Sequence, residues 1–417
     1  MSQSVKFQRD VLPAAAAFIC YFCMYCFRKP FTVAIYEGLL FMGMPYKSIL
    51  LILQVFGYMC AKFWGIRFIA ELQIGNRILL ILGLIGFSEL ALLGFAILPQ
   101  DLKPFSLLFN GFPLGLIWGL VFSFLEGRRN TEFLGSFMAI SFIVSSGISK
   151  SLATLLMNSF EVGVFWMPFC TGLLVFPVLL FSAYLLKCIP PPTSKDIEAR
   201  CHRSPMSAQK RRALFSRYST GISLFVLMYV VLNIMRDFRD NFIVEIWSGL
   251  GISVSPALLG SSEIPIMFFV LLVTSSTSLI KCNYRAFVAD QLLITFSALI
   301  VLICTVLFRW KIIGPFYWMI LVGCGMYLGY IIFQCIIFER FIAAFKISGN
   351  VGFLMYLADS FGYLGSIGTL LFREYFHHAM NWVDFFMAMS ILSSILIIIL
   401  SVFCTYYFAK KAGKGVI

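Results

Sequence analysis

The sequence predicts an all-α polytopic membrane protein with twelve transmembrane helices in two pseudo-symmetric six-helix bundles. Hydrophobic residues make up 60% of the 417 residues and charged residues 12%, whereas soluble domains carry about 25% charged residues. Apolar stretches of roughly 20 residues, each long enough for a helix to cross a bilayer core of about 30 Å, recur along the whole chain. Two arginines inside such stretches, Arg28 and Arg236, are separated by half the chain length.

The predicted spans follow the apolar stretches in order, and the polar segments between them are too short for a soluble domain. The twelve spans are 11–36, 48–70, 77–98, 104–126, 132–157, 164–187, 219–246, 253–280, 286–308, 312–338, 347–372 and 382–408.

A basic, polar segment separates the first six spans from the last six. It contains Pro190-Pro191-Pro192 and then a series of lysines and arginines without apolar periodicity, which predicts a cytoplasmic linker. We interpret it as a solvated tether, and binding of anionic lipid or a partner is the alternative. The predicted domains are an N-terminal bundle at 1–187, the linker at 188–217 and a C-terminal bundle at 218–417.

The net charge of +13 reflects membrane topology. Most Lys and Arg residues fall in the two tails and the even-numbered loops, so the positive-inside rule predicts cytoplasmic termini in a bacterial inner membrane. This distribution argues against nucleic-acid binding. The first span is too long for a cleaved signal peptide, so we interpret it as a retained helix. The odd-numbered loops hold Lys47, Lys103, Arg309, Lys311 and Arg373.

The twelve cysteines do not predict a disulfide framework, because most of them lie within the spans. Cys20, Cys23 and Cys26 have a spacing similar to that of an iron–sulfur motif. A membrane helix offers neither the fourth ligand nor the loop that such a cluster needs. We therefore expect apolar packing at these positions and no cofactor or metal.

Arg28 and Arg236 are the strongest candidates for a substrate site. A charge at mid-membrane costs at least a few kcal/mol and is kept mainly where it handles a substrate, an ion or a partner charge. The local sequence repeats, because Tyr21 precedes Arg28 by seven residues and Tyr229 precedes Arg236 by seven. One buried guanidinium per half predicts a central anion site, since guanidinium forks bind oxyanions in a bidentate manner.

Four more charged residues complete the predicted substrate-binding set. Lys29, Lys62 and Lys150 provide cations in spans 1, 2 and 5, and Asp359 provides a carboxylate in span 11. A buried carboxyl group such as Asp359 or Glu263 allows proton coupling. Neither residue stands in an arrangement that favours proton coupling over an ion pair.

The competing interpretation is that the cations are neutralised inside the protein. It pairs Lys62 or Lys150 with an acid on another helix. Arg28 has no acid within one helical turn, so its partner is distant or is a ligand. The other proposed pairs are Arg236 with Asp240, and Arg239 with Asp237 or Glu245.

Glycines at four-residue spacing predict close helix packing in both halves. Span 4 carries Gly111, Gly115 and Gly119, and span 10 carries Gly325 and Gly329. Interrupted spans in matching positions are typical of transporters built from repeats around a central site.

Four short segments resemble the major facilitator superfamily and, within it, the organophosphate:phosphate antiporters, which include glycerol-3-phosphate and hexose-phosphate transporters. Arg236 falls where that group keeps its second-half arginine. The segments are Tyr25-Cys26-Phe27-Arg28-Lys29-Pro30-Phe31, the stretch 57–65 with Gly57, Tyr58 and Lys62, Asn110-Gly111 with Gly115, and Gly362-Tyr363-Leu364-Gly365.

The resemblance implies two six-helix bundles that rock around a central site and exchange an organic phosphate for inorganic phosphate. It places the substrate between Arg28 and Arg236, with Lys29 and Lys62 near its path. The chain departs from the group at two points. Ile143 stands where the group has a fifth-helix histidine, with Lys150 further along, and the loop at 70–77 lacks the usual Asp-Arg pair.

We therefore expect a monomeric secondary transporter of a small anionic solute in the lipid bilayer, with inorganic phosphate as counter-substrate. The alternative is a transporter-fold sensor that binds an organic phosphate and signals to a partner. A lipid-modifying enzyme is disfavoured, because the spans hold no histidine for acid–base catalysis. The three histidines are His202 in the linker and His377 and His378 in an outer loop.

Overall fold

The computed structural model is helical along nearly all of the chain that it describes. A helix lies in each of the twelve predicted spans. Within the described residues, ten helical segments are long and apolar enough to cross a membrane. The protein is therefore an all-α polytopic integral membrane protein. The described residues are 11–71, 77–125, 128, 131–190, 208–277, 279–280, 282–347, 351–376 and 380–412.

The first half contains six long helices. The first ends earlier than the predicted span, because Pro30 has no N–H with which to continue the helical hydrogen bonds, and a 3₁₀ helix at Pro30–Val33 follows. A small antiparallel hairpin then pairs Leu40–Phe41 with Met44–Pro45. The helices are α1 (Leu12–Arg28), α2 (Tyr46–Glu71), α3 (Arg77–Ile97), α4 (Lys103–Phe122), α5 (Thr131–Phe160) and α6 (Met167–Lys187).

The second half contains long helices and several short ones. Span 7 comprises α7 and α8, and span 8 comprises α9 and α10. The helices are α7 (Ala208–Asn241), α8 (Ile243–Gly249), α9 (Pro256–Ser261), α10 (Glu263–Thr277), α11 (Asn283–Arg309), α12 (Pro315–Cys335), α13 (Ile337–Ala344), α14 (Val351–Phe376) and α15 (Trp382–Lys411).

Helix α7 begins inside the segment predicted as a linker. Residues 208–217 are helical, and Tyr218 (φ −125°) then bends the helix. The stretch 208–214 is rich in Ala, Lys, Arg and Leu, which are strong helix formers. The rest of the predicted linker (191–207, with His202), the loop at 72–76, and His377 and His378 lie outside the described residues.

The helix pairings of the first half recur in the second half. Helix α1 packs on α5 and α6, and α7, six spans later, packs on α14 and α15. Between the halves, span 2 (α2) packs on span 11 (α14), and span 5 (α5) packs on span 8 (α9 and α10). Span 8 is the counterpart of span 2 in the other half, and span 5 is the counterpart of span 11. The two contacts are therefore equivalent, as expected of two similar halves that face each other.

Glycines bring α2 and α4 into close contact, as their spacing predicts. A Cβ atom on Gly111 would overlap the backbone carbonyl of Gln54, and one on Gly115 would lie 2.8 Å from the Tyr58 carbonyl oxygen. In the second half, a Cβ atom on Gly325 would lie 2.6 Å from the Ser297 carbonyl oxygen. Close packing is therefore confirmed at these three glycines.

Candidate functional site between the two halves

Arg28 ends α1 at the contact between the two halves and is 2% exposed. Its guanidinium carbon lies 4.1 Å from the ring centroid of Tyr58 on α2 and 5.7 Å from that of Tyr363 on α14. Among the described residues, Arg28 has no ion pair and its Nε has no hydrogen-bond partner. Arg28 is therefore a buried cation that contacts two tyrosine rings and forms no direct ion pair with a carboxylate of the described residues.

Side-chain amides fix the end of α1 and thereby direct Arg28. The last carbonyls of a helix lack partners within the helix. Gln54 Nε2 donates to the Arg28 carbonyl at 3.0 Å, and Asn110 Nδ2 donates to the Phe27 carbonyl at 3.0 Å. Gln54 Nε2 also lies 2.7 Å from Asn110 Oδ1. The sequence analysis missed Gln54 and assigned Asn110 no role, although buried amides in apolar spans were a usable signal.

Arg236 occupies the corresponding position on α7 and has a carboxylate partner. Its Nη2 lies 2.8 Å from Asp237 Oδ1 and 2.8 Å from Asn233 Oδ1. Its guanidinium carbon lies 4.4 Å from the ring centroid of Tyr330. The competing interpretation paired Arg236 with Asp240, and the structure corrects this to Asp237. The Nε of Arg236 has no hydrogen-bond partner among the described residues.

Asp240 binds two lysines of the first half. Lys29 Nζ lies 2.5 Å from Asp240 Oδ2, and Lys150 Nζ lies 2.6 Å from Asp240 Oδ1. Ser146 also donates to this carboxylate. Two of the three lysines predicted for the substrate site thus share one acid across the interface between the halves.

Lys62 and Asp359 form a second ion pair between the halves, with Nζ and Oδ2 2.9 Å apart. Tyr229, which was predicted to bind substrate, donates a hydrogen bond to Asp359 and so stabilises this ion pair. Tyr21 packs instead against aromatic rings, with its centroid 5.7 Å from Tyr25 and 5.0 Å from Phe142. Pairing of Lys62 with an acid on another helix agrees with the competing interpretation.

Further polar contacts between the two halves lie near the start of α2. Lys47 pairs with Glu245, and Ser48 donates to Glu374 at 2.9 Å. Lys47 and Lys62 are fifteen residues apart in the sequence, or roughly 22 Å along a helix. Tyr58 contacts both Arg28 and Lys62, whose Nζ lies 5.4 Å from its ring centroid. The Lys62–Asp359 pair is therefore next to Arg28, and the Lys47–Glu245 pair lies towards the other end of α2.

Arg239 pairs with Glu263 of α10 at 2.9 Å. This corrects the expectation that Asp237 or Glu245 would neutralise it. The sequence neighbours of Arg239 are used elsewhere, since Asp237 binds Arg236 and Glu245 binds Lys47.

Helices α2, α7 and α14 enclose a cavity of about 10 Å³ beside Asp237. It has room for about one water molecule. A larger solute would fit at this point only if α2 moved away from α7 and α14.

Apolar helices surrounding a charged interface define a polytopic α-helical membrane protein with a polar centre. The chain belongs to DUF5690, a family of unknown function, which matches residues 30–411. The match begins directly after Arg28 and Lys29 and includes Lys62, Lys150, Arg236 and Asp359. No curated protein matches the sequence.

Proposed function

We propose that this protein is a secondary transporter that moves a small phosphorylated anion through a central site between its two halves. The observation that carries this proposal is Arg28, a buried guanidinium that forms no ion pair with any carboxylate of the described residues. A charge kept at such depth is expected to serve a ligand.

The geometry of the two arginines suits oxyanion binding. Stacking on Tyr58 occupies a face of the Arg28 guanidinium and leaves its in-plane N–H groups for an oxyanion. Arg236 likewise stacks on Tyr330 and has an Nε without a partner among the described residues. Two guanidinium groups on opposite halves would both contact an anion bound between them.

The charge balance of the interface supports a doubly negative solute. Five cations face three carboxylates, which leaves a formal excess of two positive charges. A phosphate monoester carries about −1.5 to −2 at neutral pH, so its binding would neutralise this excess. The cations are Arg28, Lys29, Lys62, Lys150 and Arg236, and the acids are Asp237, Asp240 and Asp359.

Alternating access is supported by the contacts between the halves. Opening towards one side would break Lys47–Glu245, and opening towards the other would break Lys62–Asp359. The related pairings of span 2 with span 11 and of span 5 with span 8 suit two bundles that rock about the centre. The resemblance to the organophosphate:phosphate antiporters extends the proposal to a monomer in a bacterial inner membrane, with cytoplasmic termini and inorganic phosphate as counter-substrate.

The decisive experiment is uptake of radiolabelled phosphate into phosphate-loaded liposomes that contain the purified protein. We expect saturable exchange that glycerol phosphate or a sugar phosphate inhibits and that Arg28→Lys reduces about 100-fold. Arg285→Lys, at an exposed residue near the start of α11, is the control and should retain exchange. Anion binding without exchange would favour the sensor. If the folded protein shows no binding and no exchange, the proposal is overturned.

A further inference from the structure

A basic groove at the end of the molecule where α7 and α14 begin is separate from the central site. It has a volume of about 530 Å³ and is lined by Arg211, Arg212, Phe215, Ser216, Phe353 and Leu357. The volume is within the range of ligand sites, about 300–1,000 Å³. None of the lining residues is acidic, so the groove combines two cations with an apolar floor.

The bend in α7 builds this groove. Tyr218 is buried, and its ring lies 5.4 Å from Phe341 and 5.6 Å from Phe345, centroid to centroid. These contacts anchor the start of α7 against the α13 region. Arg211 lies over Phe353 at 5.8 Å, which leaves in-plane N–H donors of its guanidinium for an anion.

The apolar floor continues along the surface of α14. Phe353, Leu357, Phe361 and Leu364 share one helical face because they are spaced by four, four and three residues. Phe361 and Leu364 are 43% and 48% exposed. We interpret α14 as the eleventh predicted span. An exposed apolar stripe on such a span faces lipid, so it forms a track that leads from the two arginines into the bilayer.

We propose that this groove binds one anionic glycerophospholipid, with its phosphate on Arg211 and Arg212 and an acyl chain along the α14 stripe. Charge complementarity supports this occupant, since the described lining of the groove holds two cations and no acid. Basic clusters next to transmembrane helices bind anionic headgroups, with each cation strengthening binding about fivefold. The predicted orientation places this end in the cytoplasmic leaflet.

Titration of the detergent-purified protein with phosphatidylglycerol, followed by native mass spectrometry, tests the proposal. Phosphatidylcholine provides the zwitterionic comparison. We expect phosphatidylglycerol to bind at least about tenfold more tightly. The double variant Arg211→Ala/Arg212→Ala should weaken its binding about 25-fold, and Arg211→Lys/Arg212→Lys should retain most of it.

The matched control is Arg285→Ala/Lys410→Ala, which removes two exposed cations from the same end of the molecule but outside the groove. It should change phosphatidylglycerol affinity by less than about twofold. Equal binding of both lipids, or an equal loss in the control, would overturn the proposal. Displacement of phosphatidylglycerol by millimolar inorganic phosphate would identify a free-phosphate site instead and would also overturn it.

Discussion

Arg28 and Arg236 occupy matching positions in the two halves, but their electrostatic surroundings differ. Arg28 contacts tyrosine rings and has no ion pair among the described residues, whereas Arg236 contacts Asp237 at 2.8 Å. The difference begins one residue later, where the first half has Lys29 and the second has Asp237. A repeated scaffold therefore makes an asymmetric site, with the excess positive charge in the first half.

Asp237→Asn should have the largest effect, because it removes the carboxylate that distinguishes the surroundings of Arg236 from those of Arg28. It leaves Arg236 buried without its carboxylate, and removing one partner of a buried pair destabilises by about 3–5 kcal/mol. We expect that loss in the free energy of unfolding, measured by denaturant titration in detergent. Asp384→Asn, at an exposed acid, should change stability by less than about 1 kcal/mol. A wild-type stability for Asp237→Asn would show that Arg236 tolerates isolation as Arg28 does.

Asp240 and Asp359 should respond differently to loss of a lysine of the first half. Lys62→Met leaves Asp359 without its cation and should destabilise by about 3 kcal/mol, whereas Lys29→Met leaves Asp240 with Lys150 and should cost about 1 kcal/mol. The double variant Lys62→Met/Asp359→Leu should recover most of the loss. If both lysine variants unfold at the same denaturant concentration, the prediction that Lys150 still neutralises Asp240 is wrong.

Arginine-to-lysine variants sharpen the comparison at the level of transport. Lysine keeps the charge but loses the bidentate fork. We expect Arg28→Lys to reduce phosphate exchange about 100-fold and Arg236→Lys about tenfold, because Asp237 already occupies part of the Arg236 fork. Exchange rates in liposomes, with unfolding temperatures within a few degrees of wild type, provide the measurement. The reverse order of effects would assign the main anion contact to the second half.

Glycine substitutions compare packing in the two halves and have the smallest expected effects. Gly111→Ala and Gly325→Ala each place a methyl group against a backbone carbonyl of a neighbouring helix and should destabilise by about 1–3 kcal/mol. Gly83 is the control, because a methyl group added there would meet open space. Gly83→Ala should be neutral or stabilising by up to about 1 kcal/mol. Unchanged thermal unfolding in Gly111→Ala would contradict the close packing of α2 and α4.

Hydropathy, proline position and small-residue spacing are properties of a single stretch of sequence. The helix positions and close contacts that depend on them could therefore be predicted locally. The helices α2 to α6 lie where apolar stretches predicted them, and Gly111 lies at a close contact as its spacing indicated. The partners of the charges could not be predicted in the same way. Asp237 and Asp240 lie one residue and four residues after Arg236. Helix geometry favours pairing with the residue four positions away over the adjacent one, yet Arg236 pairs with Asp237.

The sequence by itself determined the membrane class, the positions of the helices and the repetition of a buried arginine, because these depend on composition and local periodicity. Only the tertiary structure decided that Asp240 faces Lys29 and Lys150, that Asp359 faces Lys62, and that Arg28 faces tyrosine rings. Ion pairing depends on which helices meet and at what height, since a few ångströms decide whether a buried charge is neutralised. The residues that meet there are far apart in the chain, and no local pattern encodes their distance.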